Sequence, residues 1–418
     1  MTHRNDLTFR LAEERDRMQF INLARLSFIP TTALADAERE WGDYPINPTG
    51  RKGWVVEDTV GNLVARYRHL EFELLFEGVR FSMAGVGGVA VAIDQRGKGL
   101  AQWMLSQALR DFREQGILLS MLYPFQHGFY RKLGWAWMGA TQQFRISTRH
   151  IYPFSERAKI AAYQPSQEEA LKTLYGQVAL QHNGWLCREP WWWENFFKPK
   201  GGREIYSYTE AGTLLGYLVL EFTHLEPEKK QLAVVVREWA ALSASAYRGI
   251  LGFLGSLRDQ ITTIVWNTYP DDPFPYLLKE QQRDPSLTMP PFDFNYMHQL
   301  GIMSGGFMWR LVNAQQAIAL RPIRPVSPFS LTFHLTDSVF GEEKFTVEFG
   351  DGTMQLGSHP ASTILKTSID HLVQMFSGVR RSQQLYWTGE LELEGDASLL
   401  AQLDTAWDTQ PPFCWDAF

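Results

Sequence analysis

The segment around residues 83–123 limits the fold of this 418-residue chain more than any other. An apolar run from Met83 to Ile93 leads into Asp94-Gln95-Arg96-Gly97-Lys98-Gly99-Leu100-Ala101, and a helical pattern then continues through Gln115. In that helix Leu100, Met104, Leu105, Ala108, Leu109 and Phe112 form one apolar stripe. Gly116 closes the helix, and Ile117 to Tyr123 reads as a further strand. The order strand, glycine loop, helix, strand predicts an α/β (α+β) fold.

The glycine loop carries chemistry as well as topology. Gly97 and Gly99 allow the backbone to approach a ligand closely, and the amides there and at Leu100 and Ala101 point out of a helix start whose dipole favours anions. Such a loop suits a pyrophosphate. It lacks the Gly-x-Gly-x-x-Gly spacing of dinucleotide sites and the Gly-Lys-Ser/Thr ending of a P-loop, which disfavours NAD and ATP. Taken alone, the same residues are equally an ordinary helix start.

Around this segment the chain divides into three. Leu7 to Leu11 reads as a strand, Arg15 to Ser27 as a helix stopped by Pro30, and Asp43 to Gly53 as a loop. Trp54 to Glu57 and Leu63 to Phe76 form an antiparallel hairpin about Gly61-Asn62. A weaker copy follows: strands at Glu204 to Tyr208, Leu214 to Glu221 and Gln231 to Trp239, a helix from a capping Ser243 to Gln260, and a strand from Ile261 to Asn267. Pro270 to Pro291, with six prolines, is a long connection. Arg321-Pro322-Ile323-Arg324-Pro325 forbids a continuous helix and marks the last boundary. Beyond it, strands at Phe329 to Thr336, Lys344 to Phe349 and Gln384 to Glu394, with a helix at Ile369 to Ser377, predict a short α+β domain. The expected domains are residues 1–150, 151–318 and 319–418.

Charge and cysteine content exclude several functions. Forty Lys+Arg against 46 Asp+Glu, a net charge of −6, provides no basic surface for nucleic acid and suits a cationic small molecule. Cys187 and Cys414 are too few for a disulfide framework or a cysteine zinc site, so the chain reads as cytoplasmic. Charges in Met1 to Arg10 are unlike a signal peptide, and no stretch approaches a membrane helix. His182, His298, His334 and the other histidines lack metal-ligand spacing, so no metal is expected.

The strand Val89-Ala90-Val91, the loop Arg96-x-x-Gly-x-Ala and the later Phe129-Tyr130-Arg131-Lys132-Leu133-Gly134-Trp135 together resemble the GNAT acetyltransferases over roughly residues 1 to 150. The weak second copy with Tyr247-Arg248 on its helix, the small last domain and the ending Phe413-Cys414-Trp415-Asp416-Ala417-Phe418 are similar to one branch, the Eis (enhanced intracellular survival) family. That resemblance implies two tandem GNAT-like regions, the second degenerate, and a C-terminal domain shaped like a sterol carrier protein that does not carry sterol. It implies an acetyl-CoA-dependent N-acetyltransferase acting by direct attack on primary amines of a cationic, aminoglycoside-like small molecule or on lysine side chains. The resemblance implies a homo-oligomer too, a hexamer.

By the same resemblance, Val89, Ala90 and Val91 offer their backbone to the pantetheine arm of acetyl-CoA. Arg96, Gly97, Lys98, Gly99, Leu100 and Ala101 cradle its pyrophosphate, and Phe125 contacts it by position. Tyr130 is the expected general acid, since a phenol with a pKa near ~10 matches a leaving thiol. The terminal carboxylate of Phe418 is the expected base. Some relatives carry a penultimate acid where this chain has Ala417, with Asp416 one place earlier.

Other features have plainer readings. His127 is expected on an exposed loop, and Trp191-Trp192-Trp193 as packing between regions; Ser120 flanks the strand beside the site. Asp36, Glu38, Glu40 and Asp43 line an acceptor entrance or form a solvated face. The alternative function is a non-catalytic acyl-CoA or lipid-binding protein, which needs an open apolar cavity in the last domain. Phe329, Phe333, Phe340, Phe345, Phe349 and Phe376 are placed to fill that space.

Overall fold

Period-two burial builds the first sheet and a single helical stripe covers it. Up to Ser147 the elements are β1 (Leu7–Leu11), α1 (Arg17–Phe28), α2 (Leu34–Trp41), β2 (Arg51–Asp58), β3 (Leu63–Phe76), β4 (Val79–Val91), α3 (Leu100–Glu114), β5 (Leu119–Leu122), α4 (His127–Arg131), β6 (Ala136–Trp137) and β7 (Ala140–Ser147). The structure is a computed structural model and describes residues 6–41, 46–199, 201–225, 231–284 and 299–418. All six residues of the predicted α3 stripe are buried, packed on Val64, Tyr67, Val86 and Leu122. The loop expected over Asp43 to Gly53 gives way to β2 at Arg51, whose first three residues pair with Leu70, His69 and Arg68. Its residues 43–45, and part of the long connection expected at Pro270 to Pro291, lie outside the described residues.

The sheet order is β1, β2, β3, β4, β5, the strand Met308–Leu311, then β6; only β4 and β5 run parallel. Met308–Leu311 thus crosses back from far along the chain to fill the gap between β5 and β6. In return β7 joins the second sheet, between Gly301–Gly305 and Thr263–Thr268, followed by Leu232–Ala241, Thr213–His224, Arg203–Glu210 and Ile160–Ala162. The two sheets exchange strands, so sheet membership does not follow a cut at residue 150, while the strands after residue 318 keep a sheet to themselves. The capping role of Ser243 is present, its hydroxyl accepting from the Ala246 amide at 3.1 Å.

The last region is a five-stranded sheet ordered Met354–Gly357, Gly341–Phe349, Phe329–Asp337, Ile364–Ser368 and Leu391–Glu394. The strand expected over Gln384 to Glu394 is confined to Leu391–Glu394, and its first half is the helix Ser382–Trp387. Helical spacing buries Leu385, Asp404 holds the Ser382 amide at 2.5 Å, and Gly389 turns the chain at φ 76°. Rings fill the interior a lipid would need: Phe333 stacks on Phe345 at 5.6 Å and on Trp407 at 5.9 Å, and Phe349 and Phe376 are buried with them.

This region braces the first. Arg310 and Asp337 form a fully buried ion pair at 2.8 Å, Ser338 Oγ donates to the Lys132 carbonyl at 2.7 Å, and Arg113 of α3 pairs with Glu343. One hairpin turn therefore holds both α3 and the end of α4.

A buried histidine gives this fold a measurable acid limit. His69 on β3 is fully buried beside Phe112, ring centroids 4.6 Å apart, with neither nitrogen hydrogen-bonded. Burial pushes its imidazole down to about 4. A depressed folded pKa means the stabilisation is complete above the unfolded value near ~6.5 and is lost as pH falls through the folded value. The loss approaches about 3 kcal/mol at most, from 1.4 kcal/mol per pKa unit. Thermal melts from pH 7 to 4 are expected to show a falling midpoint that flattens in His69→Leu; parallel profiles for the two proteins would exclude His69 as the cause.

Candidate active site

β4 and β5 pair only at Met83 with Leu119, Ala84 with Ser120 and Gly85 with Met121, and from Val86 onward they part. On its other edge β4 stays paired to β3, with an extra residue inserted at Gly88-Val89 where Arg66 faces Ala90 and Arg68 faces Gly87. Gly88 takes φ 58°, and a Cβ there would lie 2.7 Å from the Arg66 guanidinium, so the bulge requires glycine. The Ala92 amide donates to Val64 on β3 at 2.9 Å. By strand alternation Val89 and Val91 then turn their amides and carbonyls toward the gap between the strands. The Val91 carbonyl accepts from Arg96 Nε at 3.3 Å.

Beyond β4 the glycine loop sits in the left-handed region, with φ 77° at Gly97 and 72° at Gly99, which a side chain rarely adopts. No side chain caps α3, so its first amides remain free to meet an anion. A cavity of about 660 Å³ opens there, lined by Val89, Ala90, Val91, Arg96, Gly97, Gly99, Leu100, Ala101 and Phe125. Nine of the ten residues expected to hold the cofactor thus meet on one cavity; the tenth, Lys98, turns to Gln95 at 3.0 Å. Ser27 and Phe28 at the end of α1 complete the wall, and no loop or motif signal marked them. The free amides, the glycine approach and the open strand edge fit the pyrophosphate and pantetheine of acetyl-CoA.

Tyr130 is buried on α4, its ring 5.4 Å from that of Phe125 in the cavity wall and 6.1 Å from that of Trp135. Burial pushes its phenol above the ordinary tyrosine range, so it carries its proton at neutral pH. His127, expected on an exposed loop, instead starts α4 half-buried, 3.5 Å from where a Cβ of Gly305 would lie. Ser120 is buried and donates to the Ala84 carbonyl across the strand pair.

The C-terminal tail is tied into the cleft between the two GNAT-like regions. The Phe413 amide bonds to the Asn183 carbonyl at 2.8 Å, and the Trp415 ring lies 6.2 Å from Trp185 and 6.4 Å from Trp239. Asp416 is buried against Arg188 rather than open to a cavity. The Phe418 ring packs on Phe72 at 5.2 Å and Tyr123 at 5.9 Å. Its carbonyl carbon lies 3.3 Å from where a Cβ of Gly87 would be, two residues before Val89 on the diverging strand.

Phe72 leads to a second cavity of about 630 Å³, lined by Thr49, Gly50, Glu71, Phe72, Glu73, Glu189, Pro190, Trp191 and Glu194. Of its four carboxylates Glu71 pairs with Lys52 and Glu73 with Arg80 at 2.9 Å, and Arg51 lies over the Trp191 ring at 4.6 Å, so Glu189 and Glu194 are the acids that best suit an amine-rich cation. These acids were invisible to a linear reading because they come from strand β3 and the distant helix Pro190–Phe197. Asp36, proposed for an entrance, instead pairs with Arg39 on exposed α2; Glu38 is exposed, and Asp43 and the Glu40 side chain lie outside the described residues. The three tryptophans divide: Trp191 lines this cavity, Trp192 donates to Asp416 at 2.9 Å, and Trp193 is core.

Among the described residues, the second region closes the corresponding strand gap. Its parallel strands pair from Ala233 to Val236 with Thr263 to Trp266, and Asn267 Nδ2 then bonds the Val236 carbonyl at 2.8 Å. Trp239 stacks on Trp266 at 5.1 Å, with Tyr247 beside them, where the first region has its cavity. No cluster of potential metal ligands occurs among the described residues.

Comparison with known proteins accords with this division. Residues 8–138 and 184–302 each match a family described as an acetyltransferase (GNAT) domain, and residues 314–415 match a sterol carrier protein domain. The N-acetyltransferase Eis of Mycobacterium tuberculosis is 20% identical over 376 residues, covering 86% of this chain and 87% of the relative. A GCN5-related N-acetyltransferase structure from Anabaena variabilis superposes with a TM-score of 0.83 at 20% identity, covering 99% of this chain and 100% of that one. Eis1 from Mycobacterium abscessus gives 0.77 at 17% identity, covering 99% and 100%.

The close approach of the tail to β4 gives a direct test. A Cβ on Gly85 would meet the Phe418 ring at 2.8 Å, so Gly85→Ala is expected to push the end of the tail out of its seat. Overpacking of this kind costs about 1–3 kcal/mol. Carboxypeptidase should then remove Phe418 at least ~5-fold faster than in the parent under native conditions. Equal trimming rates would mean that the tail is not seated on this strand.

Proposed function

The chain belongs to the Eis family of GNAT acetyltransferases and is an acetyl-CoA-dependent acetyltransferase, and we propose that it acetylates primary amines of a cationic small molecule. The acceptor class is aminoglycoside-like or, at a protein surface, a lysine side chain. One observation carries this reading. The Phe418 carboxyl carbon lies against Gly87 where β4 and β5 part, two residues before Val89 of the glycine-loop cavity, and its ring packs on Phe72, which lines the acidic cavity.

In this reading the ammonium acceptor enters along Glu189 and Glu194, past Glu71 and Glu73, which hold Lys52 and Arg80. The Phe418 carboxylate takes a proton from the acceptor, and the freed amine attacks the thioester carbonyl carbon. The C–N bond forms as the C–S bond breaks, Tyr130 gives its proton to the departing thiolate, and the second proton of the attacking nitrogen passes to the Tyr130 phenolate, leaving a neutral amide. Val89 and Val91 align the pantetheine arm while Arg96, Gly97 and the amides from Gly99 to Ala101 hold the pyrophosphate; Phe125 closes over it. Positioning of the two substrates supplies much of the rate, and each proton transfer adds ~10²- to 10⁴-fold. The same reading includes assembly of the chain into a homohexamer, for which exposed Ile302 and Met303 on an edge strand and Trp387 on a helix offer apolar surface.

A thiol-release assay with acetyl-CoA and a panel of amines tests the acceptor class: multiply charged amines are expected to turn over with kcat/KM at least ~10-fold above neutral ones. A preference for neutral amines would contradict the acidic cavity's role. Tyr130→Phe should lower kcat ~10²-fold with acetyl-CoA affinity unchanged, whereas Gly99→Glu should abolish that affinity in calorimetry by placing a carboxylate against the pyrophosphate. Retained binding in Gly99→Glu would move the cofactor elsewhere.

A further inference from the structure

Outside the two cavities, the most concentrated buried charge in the molecule surrounds Arg188. Its side chain is 1% exposed and lies between two carboxylates, those of Glu238 and Asp416, which are 8% and 3% exposed. Nη1 and Nη2 donate to Glu238 at 2.9 and 2.6 Å; Nε and Nη2 donate to Asp416 Oδ1 at 2.9 and 2.6 Å. The guanidinium face is covered by Tyr175, 4.0 Å from its ring centroid, and by Trp193 at 4.9 Å. Asp416 also accepts from Trp192 Nε1 at 2.9 Å and from the Tyr175 hydroxyl at 3.3 Å. Its main-chain carbonyl accepts from the Tyr123 hydroxyl at 3.0 Å.

A buried cation with two buried anions is an expensive arrangement, since hydrophobic replacements of such groups often stabilise a fold. Stability alone is therefore a poor reason for it, and placement is a better one. Asp416 stands two residues before Phe418, and two residues of chain reach at most about 7 Å, so fixing Asp416 confines the terminal carboxyl. Tyr123 closes the geometry: at the end of β5, it holds the Asp416 carbonyl with its hydroxyl and packs its ring on Phe418.

We propose that Arg188, through Asp416, is a positioning residue for acetyl transfer: the second GNAT-like region, whose own strand gap is closed by Asn267 and Trp239 among the described residues, sets where the terminal carboxylate stands in the active site of the first. This rests on the proposed role of the Phe418 carboxylate as base. Every side chain around Asp416 reaches it as a donor, so asparagine offers one acceptor oxygen in place of two, while the Arg188–Glu238 pair stays neutral and folded.

The test is a double-variant cycle in the full-length chain, combining Asp416→Asn with one alanine appended after Phe418, assayed by thiol release with a primary amine. Asp416→Asn is expected to lower kcat ~10- to 100-fold, leave KM for acetyl-CoA within ~2-fold, and add nothing further in the extended chain, because both changes act on one carboxylate. Trp192→Phe, which removes a single donor and is safer for folding, should lower kcat by a smaller factor, ~3- to 10-fold, with the same KM pattern. If both substitutions leave kcat within ~2-fold while the extension abolishes turnover, the positioning role is overturned and the base remains. Effects that multiply in the combined chain overturn it as well. An extended chain with full activity overturns the base itself.

Discussion

Everything functional in this molecule depends on the loss of pairing between two parallel strands. β4 and β5 hold together for three residue pairs and then diverge, so β4 leaves one edge without a strand beside it. An unpaired strand edge is costly unless water or a ligand satisfies it. Here the inserted residue at Gly88-Val89 bends β4 away, and the glycine loop brings the uncapped start of α3 to the same opening. The second region shows what happens when that constraint is absent: Asn267 ties the equivalent strands together and Trp239, Trp266 and Tyr247 fill the space.

The rest of the chain keeps the opening in register. Met308–Leu311 crosses from the second region to fix the far edge of β5. The hairpin turn of the last region grips α3 through Arg113 and Glu343 and the end of α4 through Ser338 and Lys132. The tail then returns across both GNAT-like regions to place Phe418 beside Gly87. The last region, with its interior filled by stacked rings, serves as a brace and as the source of that tail.

Local signals were the legible ones. The α3 stripe, the glycine loop and Val89 to Val91 are contiguous, and each residue's job is set by its immediate neighbours, so pattern and geometry agree. Met308-Trp309-Arg310-Leu311 gave no alternation to read because all four side chains are buried. Gln384 to Glu394 looked like one strand because its helix is only six residues long. The acidic cavity and the Arg188 cluster are assembled from segments far apart in sequence, and Arg188-Glu189-Pro190 reads as ordinary surface charge until Asp416 and Glu238 arrive beside it. Asp416, one place before the position of the relatives' penultimate acid, had no role legible in the sequence, and its burial gives it to the arginine.

We propose that the open edge of β4 and the start of α3 in the first region receive acetyl-CoA, and that the filled cleft of the second does not. Amide hydrogen exchange with and without acetyl-CoA reads both regions in one experiment. Exchange is expected to slow at Val89, Val91 and Gly97 to Ala101, and to stay unchanged along Leu232–Ala241 and at the start of the helix Ala244–Ser256. Slowed exchange in the second region, or none in the first, would place acetyl-CoA elsewhere.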